Sequence, residues 1–204
     1  MRPYKPNRQI KSMTCNPDKH ERRSIRLRDY DYSQAGAYFV TICTYNKVCL
    51  FGKVVDGEMQ LNECGRVVEE EWVKTAEIRK NVELNEFIIM PNHIHGIIVI
   101  NESNVGATCR SPKGEGTSPL PKGPGSASLG AIISGFKSAA TKRINELRDT
   151  PNTPLWQRNY YEHVIRNEDD LNEIREYIVN NPLKWHLDSE NPNNVGEGTS
   201  PLRK

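Results

Sequence analysis

The sequence predicts an α+β fold: a ferredoxin-like antiparallel sheet with helices on one face, and one further helix appended on the C-terminal side. Three observations lead there. The chain has 204 residues, 36% of them hydrophobic, enough for one domain with a real core. The apolar period switches along it, near two in some segments and near 3.6 in others. Read in order, those segments run strand, helix, strand, strand, helix, strand, with a helix after the last.

Each element has its own local reason. Ala37 to Tyr45 (AYFVTICTY) is rich in β-branched and aromatic residues and reads as a strand. Cys49 to Leu61 reads as a short hairpin around Asp56-Gly57, a favoured turn pair. Asn62 can cap a helix running to about Lys80, with Val67, Val68, Glu71, Trp72 and Thr75 along it. Val82 to Met90 is a strand, Pro91-Asn92 turns, and His93 to Ile100 returns as its hairpin partner. Leu129 to Leu147 places Leu129, Ile132, Ile133, Phe136, Ala139, Ala140 and Ile144 at helical spacing. A strand is expected within the aromatic run Leu155 to Ile165. The last helix starts at Asn167 or the Glu-Asp-Asp after it and stops at Asn181-Pro182.

The ends and one internal tract are of another character. Residues 1–28 hold nine Lys/Arg against Asp18 and Glu21, a local charge of +7 within a total of +2, so the rest of the chain carries −5. A basic arm over residues 1–21 suits phosphate binding, and equally serves as a solubilising tail. Residues 104–127 are rich in Gly and Pro and are expected as a flexible insertion, and 186–204 as a flexible tail. That leaves one domain over 22–185. The heptapeptide Gly-Glu-Gly-Thr-Ser-Pro-Leu occurs at 114–120 and again at 196–202, too short and polar for a structural repeat. Five scattered cysteines without a C-x-x-C pair suggest reduced thiols in a cytoplasm. Neither a signal peptide nor an apolar stretch of membrane-spanning length is expected, and mean hydropathy is −0.71.

His93-Ile94-His95 interrupts the apolar run Phe87 to Ile100. Residues two apart on a strand share a face, so both imidazoles point the same way and could hold one metal ion. Burying two histidines is costly without a partner. By itself the pair fits a zinc hydrolase, a cupin-like site or a nuclease, and a further ligand must decide.

The last helix offers one. Leu171, Ile174 and Ile178 form a docking stripe, and Tyr177 and Asn181 lie one turn apart on a neighbouring face. A tyrosine hydroxyl can attack phosphorus and form a covalent phosphotyrosine. Its pKa of about 10 means it needs help, which a metal on His93 and His95 would supply by polarising the phosphate. Asn181 could complete the ligand set, and mixed nitrogen and oxygen ligands suit Mg²⁺ or Mn²⁺. The same tyrosine and asparagine also fit plain packing and helix termination.

Three ordered motifs resemble a known family: Met90-Pro91-Asn92-His93-Ile94-His95-Gly96, the run from Leu155-Trp156-Gln157-Arg158 to Val164-Ile165-Arg166-Asn167, and Tyr177-Ile178-Val179-Asn180-Asn181-Pro182. With Arg22-Arg23-Ser24-Ile25-Arg26-Leu27 and Tyr30-Asp31-Tyr32, they resemble the HUH single-tyrosine transposases, in particular the REP-associated branch. The resemblance spans about residues 22 to 185, apart from the 104–127 tract, where members of the family connect strand to helix more briefly. It implies a metal-dependent single-strand DNA endonuclease and strand-transfer enzyme acting on hairpin DNA through a 5′-phosphotyrosine. Tyr177 takes the nucleophile's place, His93 and His95 that of the histidine pair, and Asn181 that of the third polar ligand. Either a monomer or a homodimer fits.

Arg22, Arg23, Arg26, Arg158, Arg166, Lys137 and Arg143 are candidate phosphate contacts. Trp156 and Tyr160 are candidates for base stacking or packing. Of the adjacent Tyr160 and Tyr161, only one can face the DNA. Two other functions remain open: a catalytically silent binder of hairpin DNA, and a metal phosphoesterase that uses water.

Overall fold

Alternation along the strands decides which side chains meet which helix. The structure, a computed structural model, describes residues 31–102 and 128–194. The basic arm, Arg22, Arg23, Arg26, the 104–127 tract and both copies of the heptapeptide lie outside the described residues. β1 (Gly36–Cys43) sits inside a four-stranded sheet between β5 (His93–Ile100) and β6 (Tyr161–Ile165), and β4 (Val82–Met90) forms the edge beyond β5. All three pairings are antiparallel. This is the ferredoxin-like order that the sequence predicts.

A separate hairpin, β2 (Gly52–Val55) with β3 (Glu58–Leu61), leads into α1 (Glu63–Ile78). Its turn residues Asp56 and Gly57 both have positive φ, 53° and 80°, the geometry that makes Asp-Gly favourable there. Asn62 caps α1 by accepting from the Gly65 amide at 3.0 Å. Ser128 caps α2 (Leu129–Leu147) and Asn167 caps α3 (Glu168–Val179) in the same way.

β1 ends two residues earlier than its composition suggests. Thr44 leaves the ladder to form a bridge with Trp156, and Asn46 and Lys47 turn the chain with φ of 54° and 56°.

The helices α1 and α2 cover one face of the sheet and α3 the other. The first face buries Tyr38, Val40, Ile42, Ile94 and Ile98 against Trp72, Ile132, Phe136 and Ala140. The second buries Phe39 and Ile97 against Ile174 and Ile178, with Leu171 and Tyr177 alongside. Trp156, a candidate for base stacking, lies in the first core, its ring 5.3 Å from Phe51 and 5.5 Å from Phe136.

Gly96, which follows the histidine pair, faces Trp72. A Cβ at that position would lie 2.5 Å from Trp72 Cζ2. The indole is fully buried and packs edge-on against Phe136 at 5.0 Å, so it has little room to yield. Gly96→Ala is therefore expected to destabilise the fold by about 1–3 kcal/mol through overpacking. Urea unfolding reads this as a lower midpoint, and an unchanged midpoint would show that the indole can move aside.

The chain does not leave the body at residue 185. Pro182–Leu187 forms a 3-10 turn, and residues 188–194 continue along the body, with Glu190 only 7% exposed. The expected tail boundary thus excludes a segment that packs, because its anchors are tertiary: Asn92 Nδ2 donates to the Glu190 carbonyl at 2.7 Å, and Lys47 Nζ to the Ser189 carbonyl at 2.9 Å. Among the described residues no helix is long and apolar enough to cross a membrane.

Candidate metal centre and nucleophile

His93 and His95 lie on the α3 face of β5, as the two-residue period requires. Both imidazoles are buried, at 0% and 3% exposure, and their Nε2 atoms stand 3.0 Å apart. The far nitrogen of each ring has a fixed partner. His93 Nδ1 lies 2.9 Å from Asn92 Oδ1, an oxygen that can only accept, so Nδ1 carries the proton and Nε2 the lone pair. His95 Nδ1 lies 2.8 Å from Thr41 Oγ1, a hydroxyl that can accept from Nδ1 and leave Nε2 unprotonated. Partners of this kind orient metal-binding histidines.

Electrostatics keep both rings neutral. Burial, with help from the nearby Lys47 ammonium, pushes His93 down to about 3. Burial and the neighbouring His93 hold His95 well below the ordinary imidazole range. Two neutral imidazoles then present Nε2 lone pairs to one point, the form that metal coordination needs.

The spacing fits a divalent ion: adjacent positions of an octahedron with bonds of about 2.1 Å stand about 3.0 Å apart. Asn181 Oδ1 is buried and has no hydrogen-bond partner, which fits an oxygen donor for a cation. Asp188, at the end of the 3-10 turn, faces the pair, with Oδ2 3.8 Å from His93 Nε2.

Tyr177 reaches the same place from the opposite layer. Ile174 and Ile178 press α3 onto Phe39 and Ile97, while polar ties hold it at two edges. His163 Nε2 meets Asp170 Oδ2 at 3.0 Å on the β6 side. Arg175 Nε donates to Asn85 Oδ1 at 2.9 Å on the β4 side, where the register shifts between Leu84 and Phe87. The result sets Tyr177 Oη 3.4 Å from His95 Nε2, with the ring edge-on to Phe39 at 6.0 Å. The candidate nucleophile Tyr177 and the histidine pair thus meet within a single chain.

The other candidates divide by face. Tyr161 lies on the α3 face beside Phe39, ring centroids 6.2 Å apart. Tyr160 belongs to the opposite face, with Lys137 Nζ 5.6 Å from its ring centroid. Arg158 and Arg166 are exposed, before and after β6. Arg143 is engaged by Glu70 and Glu71, each at 2.7 Å, and Lys137 donates to the carbonyls of Gln157 and Asn159.

Sequence reasoning missed Asn92, Thr41 and Asp188. Asn92 had a visible signal, its place beside His93. It is fully buried, and its amide group also donates to the Lys47 carbonyl at 2.9 Å. Thr41 is identified only through strand register, as the residue opposite His95. Asp188 stands in a polar segment that carries no pattern.

An uncharacterised protein of Haemophilus influenzae is 44% identical to this chain over 172 residues, covering 83% of this chain and 92% of that protein. Among solved structures, a REP-associated tyrosine transposase bound to a REP hairpin is similar, with a TM-score of 0.53 and 19% identity, over 78% of this chain and 73% of that one. No protein-family model matches the chain. The chain belongs to one family with the Haemophilus influenzae protein, and its fold is that of the HUH tyrosine transposases.

Proposed function

We propose that this protein is a metal-dependent DNA endonuclease and transposase that cuts and rejoins single-stranded, hairpin-containing DNA through Tyr177. The observation that carries the reading is that Tyr177 Oη stands 3.4 Å from His95 Nε2, which itself lies 3.0 Å from His93 Nε2. The structural neighbour bound to a REP hairpin supports hairpin DNA as the substrate class.

His93, His95 and Asn181 would hold Mg²⁺ or Mn²⁺. Such an ion, when bound, withdraws electron density from the scissile phosphate and offsets charge in the transition state. Tyr177 Oη forms a bond to phosphorus while the bond from phosphorus to the 3′ oxygen breaks. The phenolic proton passes to water, and the departing oxygen takes one up as a free 3′ hydroxyl. The product is a 5′-phosphotyrosine that keeps the energy of a phosphodiester, so the 3′ hydroxyl of another strand can reverse the step. Packing of α3 against Phe39 and Ile97 holds the tyrosine near the pair and lowers the entropy lost on attack. Arg22, Arg23, Arg26, Arg158 and Arg166 would contact the DNA backbone, and Tyr160 would stack on an unpaired base.

The test is to incubate the full chain with labelled hairpin DNA and Mn²⁺, then run a denaturing gel. A labelled band at the mass of the protein is expected. Cleavage without that band would point to a water-using phosphoesterase, and binding without cleavage to a silent hairpin-binding protein.

A further inference from the structure

Resting on that metal-centre reading, we propose that Asp188 is a metal ligand, delivered to the histidine pair by the segment that follows the tyrosine helix. The ligand atoms of His93, His95 and Asp188 all lie within 4.8 Å of one another. Octahedral ligand atoms with bonds of about 2.1 Å stand about 3.0 Å apart when adjacent and about 4.2 Å when opposite. The separation of 3.8 Å between Asp188 Oδ2 and His93 Nε2 falls between those limits. It is too long for a hydrogen bond, so the carboxylate is not there to orient the imidazole.

Its surroundings leave it few other roles. Oδ1 accepts from the Glu190 amide at 2.7 Å, which turns Oδ2 toward the pair. The side chain is 7% exposed, and a buried carboxylate needs a cation or strong donors. Among the described residues no Lys or Arg forms an ion pair with it; Lys47 reaches Glu190 instead, at 3.2 Å. A divalent ion on His93 and His95 would supply the missing counter-charge.

The segment carrying Asp188 is fastened to the residues that set the pair. Asn92, which orients His93 through Oδ1, holds the Glu190 carbonyl through Nδ2. Cys43, opposite His93 in the ladder, donates Sγ–H to Glu190 Oε2 at 3.5 Å. The Trp185 ring lies 6.0 Å from the His93 ring. A movement of this segment therefore moves a candidate ligand.

Mn²⁺ binding to the full chain, measured by titration calorimetry without DNA, tests the assignment. The variants are Asp188→Asn, His93→Ala and Asn181→Ala. Asp188→Asn keeps the oxygen that accepts from Glu190 and removes only the charge. It is expected to weaken Mn²⁺ binding about tenfold or more, since ligand charge sets affinity at such sites. Full loss in His93→Ala with wild-type binding in Asp188→Asn would overturn the assignment and leave the metal-centre reading standing. Unchanged binding in both would remove both. A weakening confined to His93→Ala and Asn181→Ala would make Asn181 the oxygen ligand in its stead. Should Asp188→Asn fail to fold, amide hydrogen exchange of the wild type decides. Mg²⁺ is expected to slow exchange at Glu190 and Asn191, and unchanged exchange there would overturn the assignment.

Discussion

Tyr177→Phe is expected to fold, to bind hairpin DNA as tightly as the wild type, and to form no covalent adduct with it. The substitution removes one oxygen and keeps the ring, which packs edge-on to Phe39 and to His95, the latter at 5.2 Å. The contact of Oη with His95 Nε2 is long, 3.4 Å, so its loss should change stability by no more than about 1 kcal/mol. Binding should persist because contacts to phosphates dominate affinity for DNA. Chemistry should not, because no other atom of that side chain can attack phosphorus. The adduct is read on a denaturing gel, and its position by mass spectrometry of the digested protein. Tyr161 is the alternative to watch, since it too lies on the α3 face. A nucleotide found on Tyr161, or an adduct that survives in Tyr177→Phe, would take the nucleophile's role from Tyr177.

His93→Ala carries the second large effect: cleavage is expected to vanish while hairpin binding stays within about twofold, because few phosphate contacts are lost. One of two convergent Nε2 atoms disappears, so an ion bound there would lose half of its imidazole ligation. A structural cost accompanies the chemical one. Asn92 Oδ1 loses the Nδ1–H that it accepts at 2.9 Å, and a buried acceptor left alone costs about 1–3 kcal/mol. Urea unfolding should show that loss even without metal. Cleavage by His93→Ala at the wild-type rate would remove the metal from the mechanism. An unchanged unfolding midpoint would show that Asn92 finds another donor.

Most of the framework was legible because it rests on local chemistry. The strands Val82–Met90 and His93–Ile100 and the helix Leu129–Leu147 begin and end where the sequence places them. Side-chain periodicity and breakers act over a few residues, and here nothing distant overrides them. The shared face of His93 and His95 was legible for the same reason. The early end of β1 was not, because Thr44 is drawn out of the ladder by Trp156, more than a hundred residues later. Likewise the packed segment after residue 185 reads as polar tail until Asn92 and Lys47 hold its carbonyls.

By itself, then, the sequence determined the order of elements, the histidine pair on one strand face, and a tyrosine on an amphipathic final helix. Each follows from a period or a cap within a dozen residues. Only the tertiary structure decided that α3 crosses to the side of the sheet opposite α1 and α2, where the histidines face. It alone put Tyr177 Oη beside His95, made Gly96 a requirement of the Trp72 indole, and brought Asp188 to the pair. Those facts depend on contacts between residues 24 to 139 positions apart, and no local pattern in a chain encodes which distant partner a buried group will meet.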